Sequence, residues 1–219
     1  MADGIFTGQF LAVNNGTKDQ PITLKGSKNA IINNPGRDGL IFYQCSHWIL
    51  KGFSIYNVSR AVLIEESSFM TLNDLHISYT DTSAIRIRIN STDNIVKNCE
   101  ISYTGQQEKW NGEGIYIGSA YNHWLNNLTV PDRSNRNQVL NNIIGPYVSS
   151  ESVDIKPGVE DVIVENNVIN GIGMDDSNKA LAWIGVKGYN CTIKNNHGSF
   201  SVKNGFTVIF IFSKIIKFI

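Results

Sequence analysis

Three stretches, Ala84-Ile-Arg-Ile-Arg88, Gly114-Ile-Tyr-Ile-Gly118 and Ser152-Val-Asp-Ile-Lys156, are one phrase written three times. In each the second and fourth residues are apolar while the third and fifth vary, which is the alternation of a strand with one buried face. The same phrase recurs outward in both directions, as Gly39-Leu-Ile-Phe-Tyr43, Ala61-Val-Leu-Ile-Glu65, Trp183-Ile-Gly-Val-Lys187 and Gly205-Phe-Thr-Val-Ile209. From one second position to the next, through Leu40, Val62, Ile85, Ile115, Val153, Ile184 and Phe206, the steps are 22, 23, 30, 38, 31 and 22 residues. A unit of this length cannot bury its apolar face alone and must stack on its neighbours. The short steps suit one turn of a coil, and the long ones the same turn with a loop inserted. The two longest insertions are read as 104–112 and 119–150.

A second phrase follows the first: Ile49-Leu-Lys-Gly52, Thr71-Leu-Asn-Asp74, Ile95-Val-Lys-Asn98, Val139-Leu-Asn-Asn142, Ile163-Val-Glu-Asn166 and Thr192-Ile-Lys-Asn195. On stacked rungs this predicts a column of Asp74, Asn98, Asn142, Asn166 and Asn195, with side-chain amides bonded along the axis. The expected fold is therefore all-β: a right-handed, single-stranded parallel β-helix of about seven to eight rungs. It occupies 1–208 and is followed by an apolar tail, 209–219. A β-sandwich also yields many short strands, but it does not explain one polar residue recurring at one place, and Asn-Gly or Asp-Gly hairpin signals are scarce. A leucine-rich horseshoe lacks its leucine spacing.

Composition narrows the function. Among 219 residues, 42% are hydrophobic, and 19 Lys and Arg balance 19 Asp and Glu, so no bulk basic field exists to hold nucleic acid. The segment 206–219 is apolar but shorter than the roughly 20 residues of a membrane span and is broken by Lys214 and Lys217. No signal peptide is visible at the start, although sequons at Asn15, Asn57, Asn90, Asn127 and Asn190 suit a secreted protein. Cys45, Cys99 and Cys191 are widely spaced and read as small buried residues. His47, His76, His123 and His197 show no metal-binding spacing, and Asp175 with Asp176 reads as a loop cap rather than a catalytic pair. A monomer is expected.

The third and fifth residues of the first phrase point outward and build a wall, one step per rung of about 4.8 Å. Its middle is charged: Arg86 and Arg88, then Tyr116, Asp154 and Lys156, Gly185 and Lys187. Glu113 and Glu151 stand at the mouths of the two insertions, and Tyr116 and Trp110 offer flat faces to sugar rings. Two readings stay open: a functional cleft, or cross-rung ion pairs on a solvated sheet.

The phrases at 84–94, 112–119, 151–158 and 183–188 resemble those of pectate-lyase-like right-handed β-helix proteins, across residues 20 to 208. The resemblance implies a secreted or extracellular protein acting on acidic polysaccharide. It implies a uronate lyase working by β-elimination, with a non-catalytic carbohydrate-binding or structural β-helix as the alternative, so enzyme status is left open. Carried onto this chain, it implies Lys156 and Arg88 as candidate bases, and Arg86 and Lys187 as carboxylate partners. It makes Glu113 and Asp154 candidate ligands of a calcium ion. Lys156, between Arg88 and Lys187, is expected to have a depressed pKa provided that Asp154 and Glu113 do not cancel the neighbouring cations. A hydrolase, which needs two carboxylates across the bond, would have only Glu113 and Asp154.

Overall fold

The computed structural model describes residues 1–126, 131–175 and 182–209. Among these the chain winds as a parallel β-helix, each full turn giving one strand to each of three parallel sheets. The front sheet has eight strands: Phe10–Ala12, Leu40–Tyr43, Val62–Glu65, Ile85–Arg88, Ile115–Ile117, Val153–Ile155, Ala182–Val186 and Asn204–Val208. The last seven of these carry the first sequence phrase. The second sheet has seven strands, and six of them, from Trp48–Lys51 to Thr192–Lys194, carry the second phrase; Ile22–Lys25 precedes them. A third sheet of eight strands runs from Gly4–Thr7 to His197–Ser199.

The register explains the repeat. Val62, Ile85, Ile115, Val153 and Ile184 are successive partners in the front sheet. These residues, and Ile64, Ile87, Ile117, Ile155 and Val186 two places on, lie in one continuous buried core. Phe206 and Val208 keep the inward register opposite Ile184 and Val186 but are exposed, because no described rung follows them. Ile209 N–H still bonds Val186 O at 2.8 Å, so pairing continues one residue into the segment assigned to the tail. The expectation for the rest of that tail, 210–219, lies outside the described residues, as do Asp176 and Asn127.

The third sheet has no recurring phrase, for a physical reason. Strands such as Ser54–Val58, His76–Thr80 and Glu100–Ser102 share a single inward apolar column, Ile55, Ile77 and Ile101, set among variable polar residues.

The asparagine column needs a correction. Lys97 pairs with Leu140, so Asn141 and not Asn142 follows Asp74 and Asn98. Asp74, Asn98, Asn141, Asn166 and Asn195 all turn the corner with φ between 53° and 58°. Asp and Asn tolerate that left-handed conformation better than other side-chain-bearing residues. The buried amide ladder sits one residue further on. Asn142 Nδ2 donates to Asn167 Oδ1 at 2.9 Å, and Asn167 Nδ2 donates to Asn196 Oδ1 at 2.8 Å. Their oxygens also accept backbone N–H groups of the rung below, as from Cys99 and Asn142. Ser67, Ser91 and Ser134 do the same at another corner. Backbone groups that the coil turns inward are satisfied in this way.

The corners beside the front sheet hold the insertions. The segment read as 119–150 is an insertion only up to Asn137, since Gln138–Leu140 and Ile143–Ile144 are ordinary strands of the second and third sheets. Its described residues, 119–126 and 131–137, stand on one edge of the front sheet, and the 103–114 connection, with a short turn at Lys109–Asn111, stands on the other. Asp132 pins the first insertion down: it is buried and accepts hydrogen bonds from the backbone N–H groups of Ile89 and Asn90 and from Ser119 Oγ. Front-sheet side chains such as Arg86 and Tyr116 lie between these two connections.

Candidate active site

Five consecutive strands of the front sheet place the site. One outward column runs Leu63, Arg86, Tyr116, Asp154 and Gly185, each the register partner of the next. Lys156 and Lys187 follow two residues after Asp154 and Gly185, and their backbone N–H groups bond Ile117 O and Ile155 O, extending the ladder. The structure therefore brings Arg86, Glu113, Tyr116, Asp154, Lys156 and Lys187 together on one face.

The cluster is not a solvated surface. Asp154 is 1% exposed, Glu113 2% and Tyr116 7%. Asp154 holds both lysines, Lys156 through Oδ2 and Lys187 through Oδ1 at 2.6 Å. The Arg86 guanidinium carbon lies 4.5 Å from the Tyr116 ring centre and Lys156 Nζ 4.4 Å from it. Cations stacked on a desolvated ring are attracted by its quadrupole. Tyr116 thus packs cations and offers no open face for sugar stacking, contrary to the expectation from sequence. Its hydroxyl accepts the Ala120 N–H at 3.1 Å, tying the front sheet to the insertion.

Charges here are strongly perturbed. Burial pushes the Glu113 carboxyl up to about 7, against the opposing pull of Lys156 and Arg86. Its Oε2 has no hydrogen-bond partner and lies 3.9 Å from Arg86 Nη2. Burial lowers the pKa of Lys156, but the charges of Asp154, Tyr116 and Glu113 outweigh it and hold Lys156 above the ordinary lysine value. The depressed lysine expected from sequence is therefore reversed: Asp154 is bonded to it. Burial alone would raise Asp154, yet the two lysines hold it below the usual carboxylate range.

The remaining candidates lie at the margins. Arg88 is engaged by Glu65 on the rung below, Nε to Oε1 at 2.5 Å. Trp110 is 60% exposed on the Lys109–Asn111 turn. Lys109, beside it, reaches Asp175 at 3.4 Å. His76 pairs with Glu100 and His47 stacks on Phe69, both away from the cluster.

Glu113, Glu151 and Asp154 each present a carboxylate oxygen, all within 4.8 Å of one another, and this buried triad could hold a metal ion. The unpartnered Glu113 Oε2 is an atom that a cation would satisfy. Calcium takes six to eight oxygens, so substrate oxygens or water would have to complete three side chains. Glu151 is the member that sequence reasoning left at a loop mouth. The signal was there, because Glu151 precedes Ser152 as Glu113 precedes Gly114, one position before the repeated phrase.

No protein-family model matches the chain, and no curated protein matches it. Solved structures do. The alginate lyase from Paenibacillus sp. str. FPU-7 superimposes with a TM-score of 0.85 at 34% identity, over 90% of this chain and 67% of that one. Pectate lyase Pel9A is similar in fold, with a TM-score of 0.55 at 14% identity over 90% of this chain and 55% of that one. With its coil and charged front face, the chain belongs to the right-handed parallel β-helix proteins of the pectin-lyase-like fold. Within that class its family is that of the Paenibacillus alginate lyase, of whose length it spans about two thirds.

Proposed function

We propose that this protein is a polysaccharide lyase that cleaves a uronate-containing glycan by β-elimination. The observation that carries the reading is the buried cluster on the front sheet in which Arg86 and Lys156 lie against Tyr116 while Asp154 holds Lys156 and Lys187. The likeness to a lyase at 34% identity supports it.

In the proposed reaction the proton at C5 of the uronate passes to Lys156. The electron pair of the broken C–H bond forms the C4–C5 double bond, the C4–O bond breaks, and the departing oxygen takes up a proton. Negative charge builds on the uronate carboxylate as C5 loses its proton, and Arg86 and Lys187 are the cations placed to stabilise it. A calcium ion held by Glu113, Glu151 and Asp154 would supply further neutralisation of that carboxylate. Lys156 is an ammonium while Asp154 holds it, so its basic form grows as pH rises and the rate is expected to climb above neutrality. Arg88, bound by Glu65, is a rim cation in this reading.

The bond from Asp154 to both lysines also favours a second reading, a glycan-binding protein whose cations are fixed and never act as bases. Incubation with pectate, alginate and glycosaminoglycans separates the two, because eliminated uronates absorb in the near ultraviolet. Rising absorbance on one polymer supports the lyase. Binding without absorbance on every polymer, at neutral and alkaline pH and with calcium added, leaves the binder.

A further inference from the structure

The corner between the second and third sheets is turned on successive rungs by Asp74, Asn98, Asn141, Asn166 and Asn195. On the two rungs before Asp74 the same corner is made by Gly26 and Gly52, and a concavity of about 550 Å3 opens over them, with Met1, Ser27 and His76 also in its lining. Gly52 has φ +84°, and a Cβ there would sit 2.5 Å from Gly26 O, so the floor is bare backbone of necessity. Lys25 and Lys51 are register partners on one wall, and Lys28 adds a third ammonium to the lining. All three are exposed, and none makes an ion pair among the described residues. Adjacent like charges in register repel, and here they face one concavity.

We propose that this notch is a second, non-catalytic site for an acidic glycan, reading carboxylates with Lys25 and Lys51 and a sugar hydroxyl with Asp74. Lys25 and Lys51 are rung neighbours with backbones about 4.8 Å apart, so both ammonium groups can reach the carboxylates of one short stretch of acidic polymer. Asp74 lines the same notch and disfavours a bare inorganic anion, whereas a sugar brings hydroxyl donors for it. Lying at the corner away from the front sheet, the notch would hold one stretch of polymer while the cleft holds another, raising the effective concentration of chain at the cleft. The glycan class rests on the reading under Proposed function, while the notch itself does not.

The test uses the whole chain carrying Lys156→Gln, which stops turnover in that reading, titrated calorimetrically with a short oligouronate, with a neutral oligosaccharide and with inorganic phosphate. Two oligouronate sites are expected, and adding Lys25→Gln with Lys51→Gln should remove one or weaken it about tenfold. Lys25→Arg with Lys51→Arg should keep it. An unchanged stoichiometry and affinity in the Gln pair overturns the proposal, and so does phosphate binding at the notch that oligouronate does not match. Lyase failure reads out separately, as absent near-ultraviolet product from the parent protein, and leaves the notch result standing or falling alone.

Discussion

Lys156 and Lys187 lie in the cleft, and Lys25 and Lys51 line the notch, and the two pairs occupy comparable positions at strand ends one rung apart. They differ in company. The cleft lysines share Asp154, which is 1% exposed, while among the described residues the notch lysines have no carboxylate bonded to them. A buried counter-ion fixes the position and protonation of its cations and makes them part of the core. Exposed neighbours of like charge remain solvated and repel each other at little cost to the fold. The same residue type is thus held by a buried counter-ion at one site and left in solvent at the other.

The comparison breaks first at Asp154. Asp154→Ala leaves Lys156 and Lys187 facing buried carboxylates without the one that binds them both, and removing one partner from a buried ion pair typically costs roughly 3–5 kcal/mol. Urea denaturation should show that loss. A change under about 1 kcal/mol would mean the lysines relax into solvent and that the cluster is not a preformed unit.

Next comes Lys156. Lys156→Ala should lower the rate of near-ultraviolet product formation by on the order of 100- to 10,000-fold, the range for a positioned proton-transfer group. Retained activity would transfer the proton-accepting role elsewhere in the cluster.

Glu113 gives the third effect, and it depends on pH. Its carboxyl is raised from 4.5 to about 7 in the folded protein. A raised acid stabilises the fold fully below its unfolded pKa, and that contribution is lost as pH rises through the folded value. Stability should therefore decline by up to on the order of 3 kcal/mol between pH 4.5 and about 7, and Glu113→Gln should flatten that slope. Asp154 works in the opposite direction and in a lower window, below the usual carboxylate range, so the two are separable. Denaturation profiles of equal slope in the parent and the variant would rule Glu113 out as the source.

How much of this was legible beforehand follows from what repeats. The apolar pair of each front-sheet strand recurs because every rung needs the same inward side chains, so Val62 through Val186 could be assigned from sequence alone. The co-location of Arg86, Tyr116, Asp154, Lys156 and Lys187 also followed, since register stacks the variable positions between them. Three things did not follow. The column slipped to Asn142 because two asparagines stand side by side at 141–142 and the text cannot say which takes the left-handed turn. The third sheet was invisible because its strands share one inward apolar position, as at Ile55, Ile77 and Ile101, and no common phrase around it. The sign of the Lys156 shift stayed conditional on Asp154 and Glu113 because it depends on which way one carboxylate turns, and alternation reports the face of a strand but not side-chain partners.

The smallest effect belongs to the notch, and it sharpens the contrast with Asp154. Lys25 and Lys51 sit side by side in register, both exposed, with no ion pair among the described residues. Lys25→Gln removes one member of a like-charge pair without opening a cavity or stranding a buried group, so nothing large opposes the change. We expect thermal stability at low salt to rise slightly, by a few tenths of a kcal/mol. The gain should fade as added salt shortens the screening length from about 30 Å at 0.01 M to about 3 Å at 1 M. Differential scanning calorimetry of the parent and Lys25→Gln across that salt range measures it. A loss of more than about 1 kcal/mol would show that Lys25 has a structural partner and that the notch is built for the fold rather than held open for an anion.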